Sequence, residues 1–170
     1  MQKILYILIA LIAAAYATAP AWVTSGANVN YTVGGDTLSY SVVFRNSTDV
    51  KMEITNLTNS KIIAKPTENA SGLSGQVWFD DSELENAGGS IGDFLVTDYG
   101  EMTLAGKEWE TVTLESDISG YTLTRIHDRE TGLMLKQSVN APGQPVVTLA
   151  QFYLPGISPP PAQPQPPAQP

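Results

Sequence analysis

Two-residue alternation of apolar and polar side chains constrains this chain more than any other feature. Leu38, Tyr40, Val42 and Phe44 alternate with Ser39, Ser41 and Val43, and Val50, Met52 and Ile54 alternate with Lys51, Glu53 and Thr55. Neighbouring side chains on an extended backbone point to opposite faces, so this period predicts half-buried strands. The turn formers between the two runs, from Phe44 to Asp49, predict a hairpin. Gln76 to Phe79 reads as a short strand. From Phe94 onward strand follows strand. FLVTDYGEMTLAG reads as a hairpin turning at Tyr99-Gly100, and KEWETVTLES sets Trp109 on one face and Val112 and Leu114 on the other. Tyr121 to His127, Leu133 to Val139 and Val146 to Tyr153 complete the series.

Helix has little room in this pattern. DDSELENAGG supplies an N-cap aspartate, a few helix formers and a glycine stop, so one short helix is the most it predicts. With no long helix to cross between parallel strands, the fold class is mainly β and antiparallel. Val42 beside Val43, Leu133-Met134-Leu135 and Val146-Val147 put apolar residues on both faces. A flat sheet with one wet face would not need them. The expectation is therefore a curved antiparallel sheet, either a half-barrel or a β-sandwich.

The ends differ from this middle. Met-Gln-Lys, the apolar run Ile4 to Ala15 and the triplet Ala15-Tyr16-Ala17 form the three parts of a secretory signal peptide, with cleavage expected after Ala17. Retained instead as an anchor, Ile4 to Val23 would just span a bilayer, interrupted by Pro20. The organisation read from sequence is a signal peptide over 1–17, an extended segment over 18–27, the β-domain over 28–154 and a Pro/Gln-rich tail over 155–170. Half of the tail is proline, and it carries no charge. It reads as an extended polyproline II spacer in preference to a docking peptide with Pro161-x-x-Pro164 spacing.

Charge and composition exclude several classes of partner. There are 17 acidic residues, against 8 Lys/Arg once Lys3 is removed with the signal, which argues against nucleic acid or an anionic membrane surface. The chain has no cysteine, so an exported fold must rest on its core and not on disulfides. Four Asn-x-Ser/Thr sequons, at Asn30, Asn46, Asn56 and Asn69, are expected glycosylation sites of a secreted or cell-surface glycoprotein. With the signal removed, the mature chain is not expected to be an integral membrane protein.

No reaction chemistry assembles from these residues. His127 is the only histidine, and it is followed directly by Asp128, Arg129 and Glu130. Neighbours on a strand diverge, no Gly-x-Ser-x-Gly elbow is present, and zinc needs more than one histidine. Asp80, Asp81, Glu83 and Glu85 lack the spacing of a calcium loop and read as helix-start acids. A glycosidase pair drawn from Asp93, Asp98 or Glu101 is the remaining enzymatic reading. No catalytic residue, metal or cofactor is assigned. Tyr40, Trp78, Trp109, Tyr121 and Phe152 are either lining of a ligand cavity or ordinary core.

The Asp128-Arg129-Glu130-Thr131-Gly132 stretch itself reads as a hairpin loop. Aspartate opens such turns by accepting N–H groups ahead of it, and glycine closes them at positive φ. IHDRETGLMLKQSV, preceded by LAGKEWETVTLES, resembles a hairpin of exported proteins similar to the periplasmic lipoprotein carriers (LolA-like) and their sigma-regulator relatives. YTVGGDTLSYSVVFRN is similar in character to an early strand of such domains. The resemblance implies a half-barrel of curved sheet closed by short helices over an apolar cavity, and no catalytic residues. This sequence departs from it by offering one helix candidate. The expected function is a non-catalytic binding module for an apolar or amphipathic, lipid-like ligand. The alternative is a structural subunit of an extracellular filament or surface layer, self-associating by strand addition with Ala21 to Val33 as donor.

Overall fold

The computed structural model describes residues 19–69, 77–79, 84 and 89–157. Eleven strands follow one another: β1 (Asn28–Val33), β2 (Asp36–Arg45), β3 (Asp49–Asn56), β4 (Lys61–Ala64), β5 (Thr67–Asn69), β6 (Ser90–Ile91), β7 (Phe94–Leu104), β8 (Lys107–Ile118), β9 (Tyr121–Asp128), β10 (Met134–Val139) and β11 (Val147–Tyr153). They form a single open antiparallel sheet in the order β4-β3-β2-β1-β11-β10-β9-β8-β7-β6, with β5 also on β3. The sheet is not closed into a barrel. The fold is mainly β, and of the two architectures expected it takes the one-sheet form. The stretch read as a short helix lies outside the described residues apart from Leu84 and Gly89.

Turn chemistry sets the register. Three hairpins use two-residue loops with both residues at positive φ: Gly34-Gly35 at 57° and 96°, Ala105-Gly106 at 50° and 77°, and Ser119-Gly120 at 55° and 84°. That geometry matches the right-handed twist of the flanking strands. It also corrects the expected turn at Tyr99-Gly100. Gly100 sits inside β7 opposite Thr111, and the chain reverses at Ala105-Gly106. A glycine in mid-strand looks like punctuation in a sequence, but here it is flanked by ladder pairs on both sides.

Over β1, β2 and β11 one face of the sheet is apolar and the other mainly polar, while β8 buries Trp109 on one face and Val112 and Leu114 on the other. Val29, Tyr31 and Val33 on β1 stand opposite Tyr40, Leu38 and Asp36 on β2, and opposite Phe152, Leu149 and Val147 on β11. The apparent two-faced apolar pattern has a different cause from the one expected. At Val42/Phe44 the register shifts, and Val43 is 52% exposed. Val146 is exposed too. A shift between Met134 and Lys136 lets Met134 and Leu135 both be buried. Bulges account for the Val42-Val43 and Leu133-Met134-Leu135 runs, and Val146 stands just before β11 begins.

The sheet curls around its apolar face. β8 and β11 are separated by β9 and β10, so a flat sheet would hold them about 14 Å apart. The rings of Trp109 and Phe152 nevertheless meet with centroids 5.0 Å apart. The core divides into a larger group centred on β1, β2, β3 and β11 and a smaller one of Phe79, Leu84, Ile91, Phe94, Val112, Leu114 and Leu123.

Residues 19–27 are turns packed on the core, not a free extended arm. Ala19, Trp22, Val23 and Ala27 are buried. The Arg45 guanidinium donates to the carbonyls of Ala19, Pro20 and Val23 at 2.9, 2.8 and 2.7 Å. Trp22 Nε1 donates to the Thr131 carbonyl at 2.7 Å, tying this segment to the β9–β10 hairpin. Of the segment Ala21 to Val33, Trp22 and Val23 are buried in the chain's own core and β1 is paired on both edges.

Candidate functional site

The β9–β10 hairpin builds the site. Asp128 Oδ2 accepts from Thr131 N at 2.9 Å and from Thr131 Oγ1 at 2.6 Å, and Gly132 closes the turn at φ 70°. The turn uses the side chains that sequence reasoning gave it. Residues 77–79 lie against it, with Trp78 bridging Leu133 and Phe79 N donating to the Gly132 carbonyl. Burial pushes the Asp128 carboxyl above its ordinary range, against the pull of the two Thr131 bonds.

Behind the turn, β9 sends Leu123, Arg125 and His127 to the apolar face. Arg125 is paired across the sheet with Leu114 on one side and Gln137 on the other. It is 4% exposed, and its Nε donates to Gln137 Oε1 at 2.8 Å. Its guanidinium lies 5.2 Å from the centroid of the Phe94 ring. Nη1 is buried without a hydrogen-bond partner, and no carboxylate among the described residues pairs with it. Burial lowers the pKa of this arginine to about 10. Tyr31 approaches from β1, reaching across β11 to donate from Oη to the Met134 carbonyl at 2.7 Å. Burial holds its phenol well above the usual value, Tyr40 adds to the shift, and Arg125 opposes it.

His127 completes the group. It is 1% exposed, tilted against the Phe79 ring at 4.7 Å, with Nδ1 2.9 Å from the Gly132 carbonyl. That contact assigns the proton to Nδ1, leaving Nε2 buried and unpartnered. Burial pushes its pKa down to about 3, so the ring is neutral at physiological pH. Among the described residues its one hydrogen bond is to the Gly132 carbonyl, not to a nucleophile or a carboxylate. The arrangement places hydrogen-bonding groups and one positive charge among apolar side chains of the core.

A cleft of about 520 Å³ opens on the other side of the hairpin, lined by Glu101, Lys107, Glu108, Trp109, Glu110, Asp128, Arg129 and Glu130. Lys107 Nζ sits 4.0 Å from the Trp109 ring centroid, and the Arg129 guanidinium 5.0 Å from that of Tyr99. Glu101 and Glu110 are directly opposite on β7 and β8, an unfavourable like-charge pair.

The structure divides the residues expected at a site. Tyr40, Trp78, Trp109 and Phe152 share the larger core group, packed on one another and their neighbours. Tyr121 is a correction: it is 48% exposed beside the Ser119-Gly120 turn, away from the other four. Among the sequons, Asn46 is exposed in the β2–β3 turn and Asn30 is half-buried in β1. Asn56 is 2% exposed, with its Oδ1 accepting from Thr58 N. The Asn69 side chain and the Asp80–Glu85 acids lie outside the described residues. No group of three acidic or histidine side chains converges to hold a metal among the described residues. Asp98 and Glu101 leave opposite faces of β7. Sequence reading missed Arg125, Gln137 and Tyr31. Its available signal was a charge at an inward position, between Leu123 and His127.

Fold and site together define a single-sheet antiparallel β-protein with a buried arginine that meets no carboxylate among the described residues. Comparison with protein-family models, curated proteins and solved structures gives no match to this chain.

Proposed function

We propose that the chain is an exported, non-catalytic binding module of the extracellular or cell-surface space, accommodating an amphipathic ligand with an anionic head in its curved sheet. The observation that carries this reading is Arg125. A guanidinium in an apolar interior is retained at a cost unless something pairs with it, and no carboxylate among the described residues does so. A carboxylate or phosphate head supplies that counter-charge, and Leu114, Phe94 and Val147 are apolar side chains of the core near it. The signal-like N-terminus and the carrier-like hairpin support the same reading.

The test is native mass spectrometry of the chain purified from its own host, alongside Arg125→Met. A monomer with extra non-covalent mass in the lipid range, lost in Arg125→Met, is the expected result. Bare chain in both preparations, or cargo retained equally by both, would overturn the proposal.

A further inference from the structure

Two polar side chains on one face of β9 each keep a buried nitrogen unused. His127 Nε2 and Arg125 Nη1 have no hydrogen-bond partner among the described residues. The two residues stand about 7 Å apart along the strand, and alternation sends both side chains the same way. Their neighbours across the ladder on β8 are Val112 and Leu114, both fully buried. One aromatic pair also spans the two. The Phe79 ring lies 4.7 Å from that of His127 and 5.8 Å from that of Phe94. Phe94 in turn lies 5.2 Å from the Arg125 guanidinium. The charge of Arg125 is close enough to oppose protonation of His127.

The two unused nitrogens are chemically opposite. Nη1 of a guanidinium only donates. A carbonyl only accepts, so the Gly132 contact at 2.9 Å holds the His127 proton on Nδ1 and leaves a lone pair on Nε2. One side chain therefore calls for an acceptor and its neighbour for a donor, and a buried group left unmet is costly. A head without a proton, such as a carboxylate or a sulfate ester, meets the arginine but turns lone pairs toward His127. A head that carries an O–H beside its anionic oxygen meets both.

We infer that His127 sets the specificity of the Arg125 site, selecting an anionic head that also bears a hydroxyl. The simplest such head is a singly protonated phosphate monoester. Its anionic oxygen accepts from Arg125 Nη1, and its P–O–H donates to His127 Nε2. The inference rests on Arg125 as the anchor of an anionic head, and it adds a binding role for His127 and a narrower class of ligand.

Decyl phosphate and decyl sulfate, both kept below micellar concentration, supply the test. At about pH 5 each carries roughly one negative charge on the same tail, but only the phosphate keeps an O–H. His127, with its pKa lowered to about 3, is still neutral there. In isothermal titration calorimetry of the full chain stripped of cargo, the phosphate should bind about tenfold tighter, the effect of one buried hydrogen bond. His127→Leu should bind the two probes equally, and Arg125→Met should bind neither. A wild-type chain that binds both probes equally, with binding lost in Arg125→Met, would overturn the role of His127 and leave the Arg125 anchor standing. A His127→Leu variant that keeps the preference for phosphate would also overturn it. A wild-type chain that binds neither probe would overturn the anchor and the role of His127 together. The wild-type ratio decides the question even if His127→Leu fails to fold.

Discussion

Replacing Arg125 with methionine separates a ligand-binding cation from a structural one. A buried side chain of that size normally costs 2–5 kcal/mol to truncate, roughly the range seen for core residues. Here the sign is expected to reverse. The fall in pKa from 12.5 to about 10, for a side chain 4% exposed, corresponds to about 3 kcal/mol against the charged form. Because the folded value is the lower one, the penalty is present in full at neutral pH and is relieved only as pH rises through about 10. Against it stand the bond to Gln137 and the Phe94 contact, together about 2 kcal/mol. Ligand-stripped Arg125→Met should therefore gain about 1 kcal/mol, and the double variant with Gln137→Leu about 2 kcal/mol. Urea denaturation at pH 7, extrapolated to water, reads both. With cargo present the order should invert, since the ligand stabilises only the arginine form. A loss of about 2 kcal/mol or more in the stripped single variant would refute the reasoning, because Arg125 would then be contributing to the fold without any ligand.

Other expectations follow from the same geometry. The folded His127 pKa of about 3 lies below its ordinary 6.5, so the stability it confers is complete above 6.5 and drains as pH falls toward 3. That loss reaches about 3 kcal/mol at pH 4, partly offset by the raised Asp128 carboxyl, and His127→Leu should flatten this limb in pH-dependent denaturation. Arg45→Ala removes three carbonyl partners and should cost about 2–3 kcal/mol, with hydrogen exchange rising first over 19–27. Gly120→Ala should cost about 1 kcal/mol for its φ of 84° alone, since a Cβ meets nothing within 4 Å. Gly100→Ala should be neutral or stabilising in the same melt, its Cβ in ordinary contact with Thr111 Oγ1 at 3.6 Å; marked destabilisation would mean that Gly100 is not a strand residue.

Much of the sheet was legible because its inward positions are spelled out by alternation. Val50, Met52 and Ile54 are buried as the period demands, and Asp128 and Gly132 turn the chain as their chemistry predicts. What misled the reading were local exceptions to the period. Val42-Val43 and Val146-Val147 looked like strands buried on both faces, whereas the exposed valine of each pair points to water. Gly100 looked like a turn because mid-strand glycine is uncommon. Trp22 and Val23 precede any periodic run, so nothing marked them as core. At the site, the aromatic residues drew attention to packing, while the informative residue was a cation that no carboxylate among the described residues reaches. Such an absence is a property of three dimensions.

The strand order also governs how this chain comes into being. β1 to β4 form one meander, with β5 returning to β3, and β6 to β11 form another; the seam between them is β1 against β11, where Asn28 pairs with Tyr153. A nascent or translocating chain thus presents its first strand with one edge unmet until its last strand arrives. The central ladder forms only after the longest loop in the protein is closed, which places folding in the slow, high-contact-order regime of milliseconds to seconds. Until that moment β1 is an exposed apolar ribbon, and whatever escorts the chain must keep it from pairing with a neighbour.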